Sequence, residues 1–112
     1  MGQPTELEEV EGLDEEFLYH LNRGSELLAR GELTEAHRSL QRAAHLRPRD
    51  GKVLGLLGQA CYRMGRFEEA VEVFGRLVED GPTEVAARVN LGLASLKAGR
   101  HSEAVRQLSI SL

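Results

Sequence analysis

Four histidines, His20, His37, His45 and His101, and a single cysteine, Cys61, are the side chains best equipped for metal binding or nucleophilic chemistry. A helical metal motif sets two ligands on one face at i and i+4. No two of these histidines have that spacing, and Cys61 is remote in sequence from all four. A reactive thiolate needs positive charge and exposure. Cys61 is flanked by Ala60 and Tyr62 with Arg63 as its nearest basic neighbour, so a packing role is expected. The carboxylates fall on an acidic N-terminal stretch or on helix faces that read as solvated, which leaves no acid/base pair to argue for. The 12 arginines and two lysines are spread along the chain with few aromatics between them, and the net charge is −4. That pattern speaks against nucleic acid as a partner. No catalytic residue, metal site or cofactor is expected, and the chain is read as a non-enzyme.

The elements that carry these side chains are organised by a period. Shifted by 34 residues, the sequence overlays itself twice without a gap. Gly24 falls on Gly58 and Gly92, Gly31 on Gly65 and Gly99, and Glu35-Ala36 on Glu69-Ala70 and Glu103-Ala104. Leu40 falls on Phe74 and Leu108, and Pro48 on Pro82. Self-similarity of this length marks a repeat architecture. Three copies follow: 17–50, 51–84 and an incomplete 85–112.

Each copy reads as two helices. In the second, Val53, Leu54, Leu56, Leu57, Ala60 and Cys61 recur at helical spacing until Gly65. Phe67, Ala70, Val71, Phe74, Leu77 and Val78 repeat the pattern until Asp80-Gly81-Pro82. Asp14, Asp50 and Thr83 stand where N-cap oxygens belong. Helices are expected near 14–29, 33–46, 51–64, 67–79, 84–98 and 101–112. Gly24, Gly58 and Gly92 lie inside the first helix of each pair, where glycine costs about 1 kcal/mol against alanine. The expected compensation is close approach of a neighbouring backbone, with Ala36, Ala70 and Ala104 serving the same end on the facing helix.

Those residues carry a resemblance to the tetratricopeptide repeat, whose signature runs aromatic-x2-Leu-Gly-x2-Tyr, then Ala-x3-Phe, then Pro. The second copy shows Leu54-x2-Leu57-Gly58-x2-Cys61, Ala70-x3-Phe74 and Pro82. The third shows Arg88-x2-Leu91-Gly92-x2-Ser95 and Ala104-x3-Leu108. The first shows His20-x2-Arg23-Gly24-x2-Leu27, Ala36-x3-Leu40 and Pro48. The departures at His20 and Arg88 weaken local packing more than the fold, and His20 is expected to be a partly buried structural histidine. The resemblance implies an all-α fold: an α-solenoid of three tetratricopeptide-type helix-turn-helix repeats wound as a right-handed superhelix.

It also implies a function, protein–protein interaction through the concave face. Mapped onto this chain, the family's ligand-facing positions are Leu18, Leu21, Asn22, Ser25, Leu28 and Ala29 in the first copy. The second contributes Lys52, Gly55, Leu56, Gln59, Tyr62 and Arg63, and the third Ala86, Val89, Asn90, Leu93, Leu96 and Lys97. The partner-binding set expected from these is Leu21, Asn22, Ser25, Gly55, Leu56, Gln59, Tyr62, Ala86, Val89, Asn90 and Leu93, while Leu28 and Leu96 are expected to pack between helices. Such a lining suits a peptide or helix with an apolar face. The family's carboxylate clamp carries Lys, Asn, Asn, Lys and Arg; Leu21, Ser25, Leu56, Ala86 and Asn90 stand there, so that role is not expected.

The two ends carry the remaining expectations. Residues 1–16 hold seven acidic and no basic side chains. They are expected to form a solvated acidic segment, with a tether folding back on basic side chains as the sharper alternative. Met1-Gly2 is followed by Glu6 where a myristoylation signal wants Ser or Thr. The N-terminus is acidic where a secretory signal is positive, no apolar run approaches membrane-spanning length, and a lone cysteine suits a reducing compartment. A soluble cytoplasmic protein without membrane insertion is expected. The third copy stops without a capping helix and leaves Val105, Leu108 and Leu112 bare. A piece of a larger scaffold or adaptor is therefore expected, with a homodimer through the final helix next. A self-assembling spacer and a small chaperone for a secreted or membrane client are the alternative functions.

Overall fold

A computed structural model describes the backbone of residues 2, 3, 5–80 and 85–111, and of these the side chains of all but 6–11, 80 and 109–111. The described residues form six α-helices and no strand: α1 Glu6–Ala29, α2 Leu33–Leu46, α3 Gly51–Arg63, α4 Phe67–Asp80, α5 Val85–Lys97 and α6 His101–Ser111. Each helix packs on the next in chain order, and α1 also touches α3. The result is elongated, 59 × 29 × 17 Å, as expected of repeats laid side by side.

The turn within each pair is the same structure three times. Gly31, Gly65 and Gly99 have φ of 80°, 79° and 81°, the left-handed region that only glycine enters without cost. In the first turn the Gly31 amide donates to the Leu28 carbonyl and Glu32 donates to Leu27, both at 3.0 Å. Gly65 and Arg66 repeat this on Tyr62 and Cys61, and Gly99 and Arg100 on Leu96 and Ser95. This double closure satisfies the last carbonyls of the first helix and reverses the chain into the second.

The mid-helix glycines admit a large side chain of the second helix, and at Gly24 the expected close backbone as well. A Cβ at Gly24 would lie 2.6 Å from Leu40 Cγ, at Gly58 2.4 Å from Phe74 Cε1, and at Gly92 2.7 Å from Leu108 Cγ. A large side chain of the second helix fills the place of the missing one, and at Gly24 the Leu40 backbone nitrogen also comes within 3.3 Å of it. Leu40 and Phe74 are 0% and 2% exposed, and Ala36, Ala70 and Ala104 beside them are equally buried. The 34-residue coincidence of Gly with Leu or Phe is thus a knob and its socket.

The first helix departs from expectation. Residues 6–13 extend α1 instead of forming a tail, and Asp14 lies inside the helix instead of capping it. No proline interrupts the stretch from Glu6 to Ala29. Phe17 anchors this region in the core at 2% exposure. The Arg47 guanidinium stands over the Phe17 ring, 4.3 Å from its centroid, and also pairs with Asp14. Asp50 caps α3 as expected, accepting from the Val53 amide at 3.1 Å. The cap expected at Thr83 lies outside the described residues. On α6, Val105 is 65% exposed, Leu108 is partly buried beside Gly92, and Leu112 lies outside the described residues.

Candidate functional site

The candidate partner-binding residues sit on α1, α3 and α5, the first helix of each repeat. Leu21 is not available to a partner: it is 6% exposed and belongs to the core, because α1 turns this side inward beside Phe17. Asn22 is exposed and Ser25 partly buried on α1. On α3, Gln59 is exposed, while Gly55, Leu56 and Tyr62 are partly buried. On α5, Ala86 is exposed, Val89 and Asn90 are partly buried, and Leu93 is 41% exposed. Leu56 and Tyr62 lean on the core from this face. Leu28 is buried as expected, but Leu96 is 46% exposed, since no described helix covers that side of α5.

Four of these residues meet. Gln59 and Tyr62 of α3 and Asn90 and Leu93 of α5 line a hollow of about 160 Å³, completed by Arg63 and by Phe74 of α4. The Tyr62 ring is held edge-on against Phe67, with centroids 5.4 Å apart. The Arg63 guanidinium donates to the Leu28 carbonyl at 3.1 Å, which fixes it across the seam between the first two repeats. An apolar floor, two amides and one anchored cation therefore share a depression between the second and third repeats. Phe74 was read in the sequence only as core; the side chain missing at Gly58 is the signal that its ring reaches this far.

A second constellation was not legible at all. His37 of α2, Cys61 of α3 and Glu69 of α4 converge across the boundary of the first two repeats. His37 Nε2 lies 3.0 Å from Glu69 Oε2 and 3.2 Å from Oε1, and the Cys61 thiol donates to Glu69 Oε2 at 3.2 Å. Gln41 Nε2 donates to Glu69 Oε1 at 3.4 Å, and Arg66 Nη1 stands 3.7 Å from Oε2. Burial pushes the Cys61 thiol up to about 12, aided by its hydrogen bond to Glu69 and by that carboxylate's charge. For Glu69, burial acts upward but is outweighed by the hydrogen bonds from Cys61 and His37 and the attraction of His37 and Arg66. Its carboxyl is held below the usual range. The sequence separations of 32 and 8 residues between these partners follow no local spacing rule, so only the stacking of repeats reveals the cluster.

Six helices in three stacked hairpins, closed by the same glycine turn and locked by the same knob, define an α-solenoid of helical repeats. The chain belongs to the tetratricopeptide repeat family: models of that repeat match residues 27–87 and 85–109. Among curated proteins it is 34% identical over 62 residues to the ER membrane protein complex subunit 2-A of Xenopus laevis, covering 55% of this chain and 21% of that one. It is 34% identical over 70 residues to the peroxisomal targeting signal receptor of Eremothecium gossypii, covering 62% of this chain and 12% of the receptor. Among solved structures, MamA MSR-1 C2 superposes with a TM-score of 0.77 at 26% identity, over 83% of this chain and 53% of that one. A MamA D159K mutant does so at 0.76 and 26%, over 83% and 54%. The chain thus spans about half of these solved structures and about a fifth or less of these curated relatives. Repeats of this kind are protein–protein interaction modules, and none of the described helices is long and apolar enough to cross a membrane.

Proposed function

We propose that the face built by α1, α3 and α5 is a docking groove for a peptide or helix with an apolar face, in a scaffold or adaptor role. The observation that carries this reading is the hollow between α3 and α5, where Tyr62, Phe74 and Leu93 supply apolar walls and Asn90 and Arg63 supply polar ones. At about 160 Å³ it takes one large apolar side chain, since a dry cavity of about 150 Å³ holds a benzene ring. Asn90 offers both a donor and an acceptor to the backbone of an extended or helical guest. Gly55 presents no side chain to this face and has nothing within 4 Å of where one would be, which leaves room for a guest backbone further along the groove. The relatives support the reading by their names: one is a receptor for a targeting signal, another a subunit of a complex.

Selection of a random peptide library on the purified chain tests it. The expected consensus carries one large apolar anchor. Leu93→Glu and Asn90→Ala should each weaken the selected peptides by about 1 kcal/mol or more, with helical circular dichroism intact. Peptides indifferent to both substitutions place the binding surface elsewhere.

A further inference from the structure

We propose that His37, Cys61 and Glu69 form a binding site for a zinc-type divalent ion, bridging the first repeat to the second. Their ligand atoms, His37 Nε2, Cys61 Sγ and a Glu69 carboxylate oxygen, all lie within 4.8 Å of one another. Imidazole, thiolate and carboxylate are the three side-chain ligand types that zinc accepts, whereas calcium and magnesium call for oxygen sets. With zinc bonds of about 2.0 Å to nitrogen and oxygen and about 2.3 Å to sulfur, tetrahedral geometry sets N···O near 3.3 Å and S···O near 3.5 Å. The corresponding separations here are 3.0 and 3.2 Å. For these two pairs an ion needs a spread of about 0.3 Å, while His37 Nε2 and Cys61 Sγ, within 4.8 Å of each other, settle at about 3.5 Å around it.

The surroundings are those of a metal site with an entrance. The His37 side chain is 7% exposed and Cys61 is 0% exposed, so two ligands are fixed by packing on separate helices. Glu69 is 30% exposed and opens on a hollow lined by Glu68, Glu72, Glu79 and Glu103 against Arg76 and Arg100. Glu68, Glu72 and Glu103 are paired there with Arg100, Arg76 and Arg106, and Glu79 adds a further carboxylate on the approach to Glu69. Gln41 holds Oε1 and leaves Oε2 for the ion, an outer contact of the kind that orients metal ligands. Arg66 is the competing cation, but its side chain is 55% exposed and can withdraw into solvent. Binding forms bonds from the ion to His37 Nε2, Cys61 Sγ and Glu69 Oε2. The thiol proton is released to solvent, as is the Nε2 proton of a charged His37, whereas a neutral His37 shifts that proton to Nδ1; the fourth position is left to water. The thiolate and carboxylate together neutralise the double charge.

Titration of the full chain, stripped with a chelator and desalted, tests the site with Co²⁺ as the spectroscopic probe and Zn²⁺ as the competitor. The expected result is one equivalent of Co²⁺ giving a near-ultraviolet thiolate-to-cobalt charge-transfer band that Zn²⁺ abolishes, with release of at least the thiol proton per ion and a rise in Tm. Cys61→Ser should remove the band, and Glu69→Gln should weaken binding by more than about tenfold, with helical circular dichroism unchanged. Absence of the band from the unsubstituted chain at excess Co²⁺ overturns the proposal, and that measurement requires no variant to fold. Equal Zn²⁺ affinity in the unsubstituted and Cys61→Ser chains overturns it as well, by assigning the ion to surface histidines and carboxylates.

Discussion

Two glycines of α3, one turn apart, offer a direct measurement of how the repeats are locked. Gly55 has nothing within 4 Å of a built Cβ, whereas at Gly58 the Cβ meets Phe74 Cε1 at 2.4 Å, Cζ at 2.6 Å and Cδ1 at 2.8 Å. Both substitutions to alanine gain the same helix propensity, about 1 kcal/mol. Carbon contacts settle at about 3.5–4.0 Å, so at Gly58 the Phe74 ring or α3 must yield by about 1 Å. The ring is 2% exposed, with the hollow between α3 and α5 on one side of it, and forcing a methyl group into such a core costs about 1–3 kcal/mol. Gly55→Ala is therefore expected to stabilise by up to about 1 kcal/mol. Gly58→Ala should range from neutral to about 2 kcal/mol destabilising, so that the two differ by about 1–3 kcal/mol. Urea unfolding followed by far-ultraviolet circular dichroism reads this as midpoints about 1 M apart at unchanged slope. Equal stabilisation by both alanines would refute the knob-and-socket account of the 34-residue Gly–Leu/Phe coincidence.

Ser95 is 0% exposed and its hydroxyl has no hydrogen-bond partner among the described residues, so Ser95→Ala removes a buried unsatisfied group. It should stabilise by about 1 kcal/mol in the same urea assay; destabilisation would mean that the hydroxyl is satisfied. Cys61 rises from 9.0 to about 12, which leaves about a thousandfold less thiolate at neutral pH. With chelator present, iodoacetamide should modify Cys61 at least about a thousandfold more slowly in the native chain than in urea, by mass spectrometry; comparable rates would show an open thiol.

Much of this protein was legible because its rules are local. The glycine turns at Gly31, Gly65 and Gly99 and the Asp50 cap are set by backbone conformation and neighbouring amides, which a few consecutive residues specify. The start of α1 was misplaced for a local reason of its own. Acidic composition suggested a solvated segment, but an uninterrupted helical stretch anchored by Phe17 carries the helix back to Glu6. Leu21 was misassigned because the family's position rule names a face, whereas the inward turn of α1 decides which side chains that face exposes.

Period, helix content and family follow from the order of residues alone, because each hairpin is specified within its own 34 positions. The hollow shared by Tyr62, Phe74, Asn90 and Leu93, and the meeting of His37 with Cys61 and Glu69, arise only when one hairpin is laid against the next. Side chains on different helices acquire a distance from one another through packing, and no spacing along the chain encodes it.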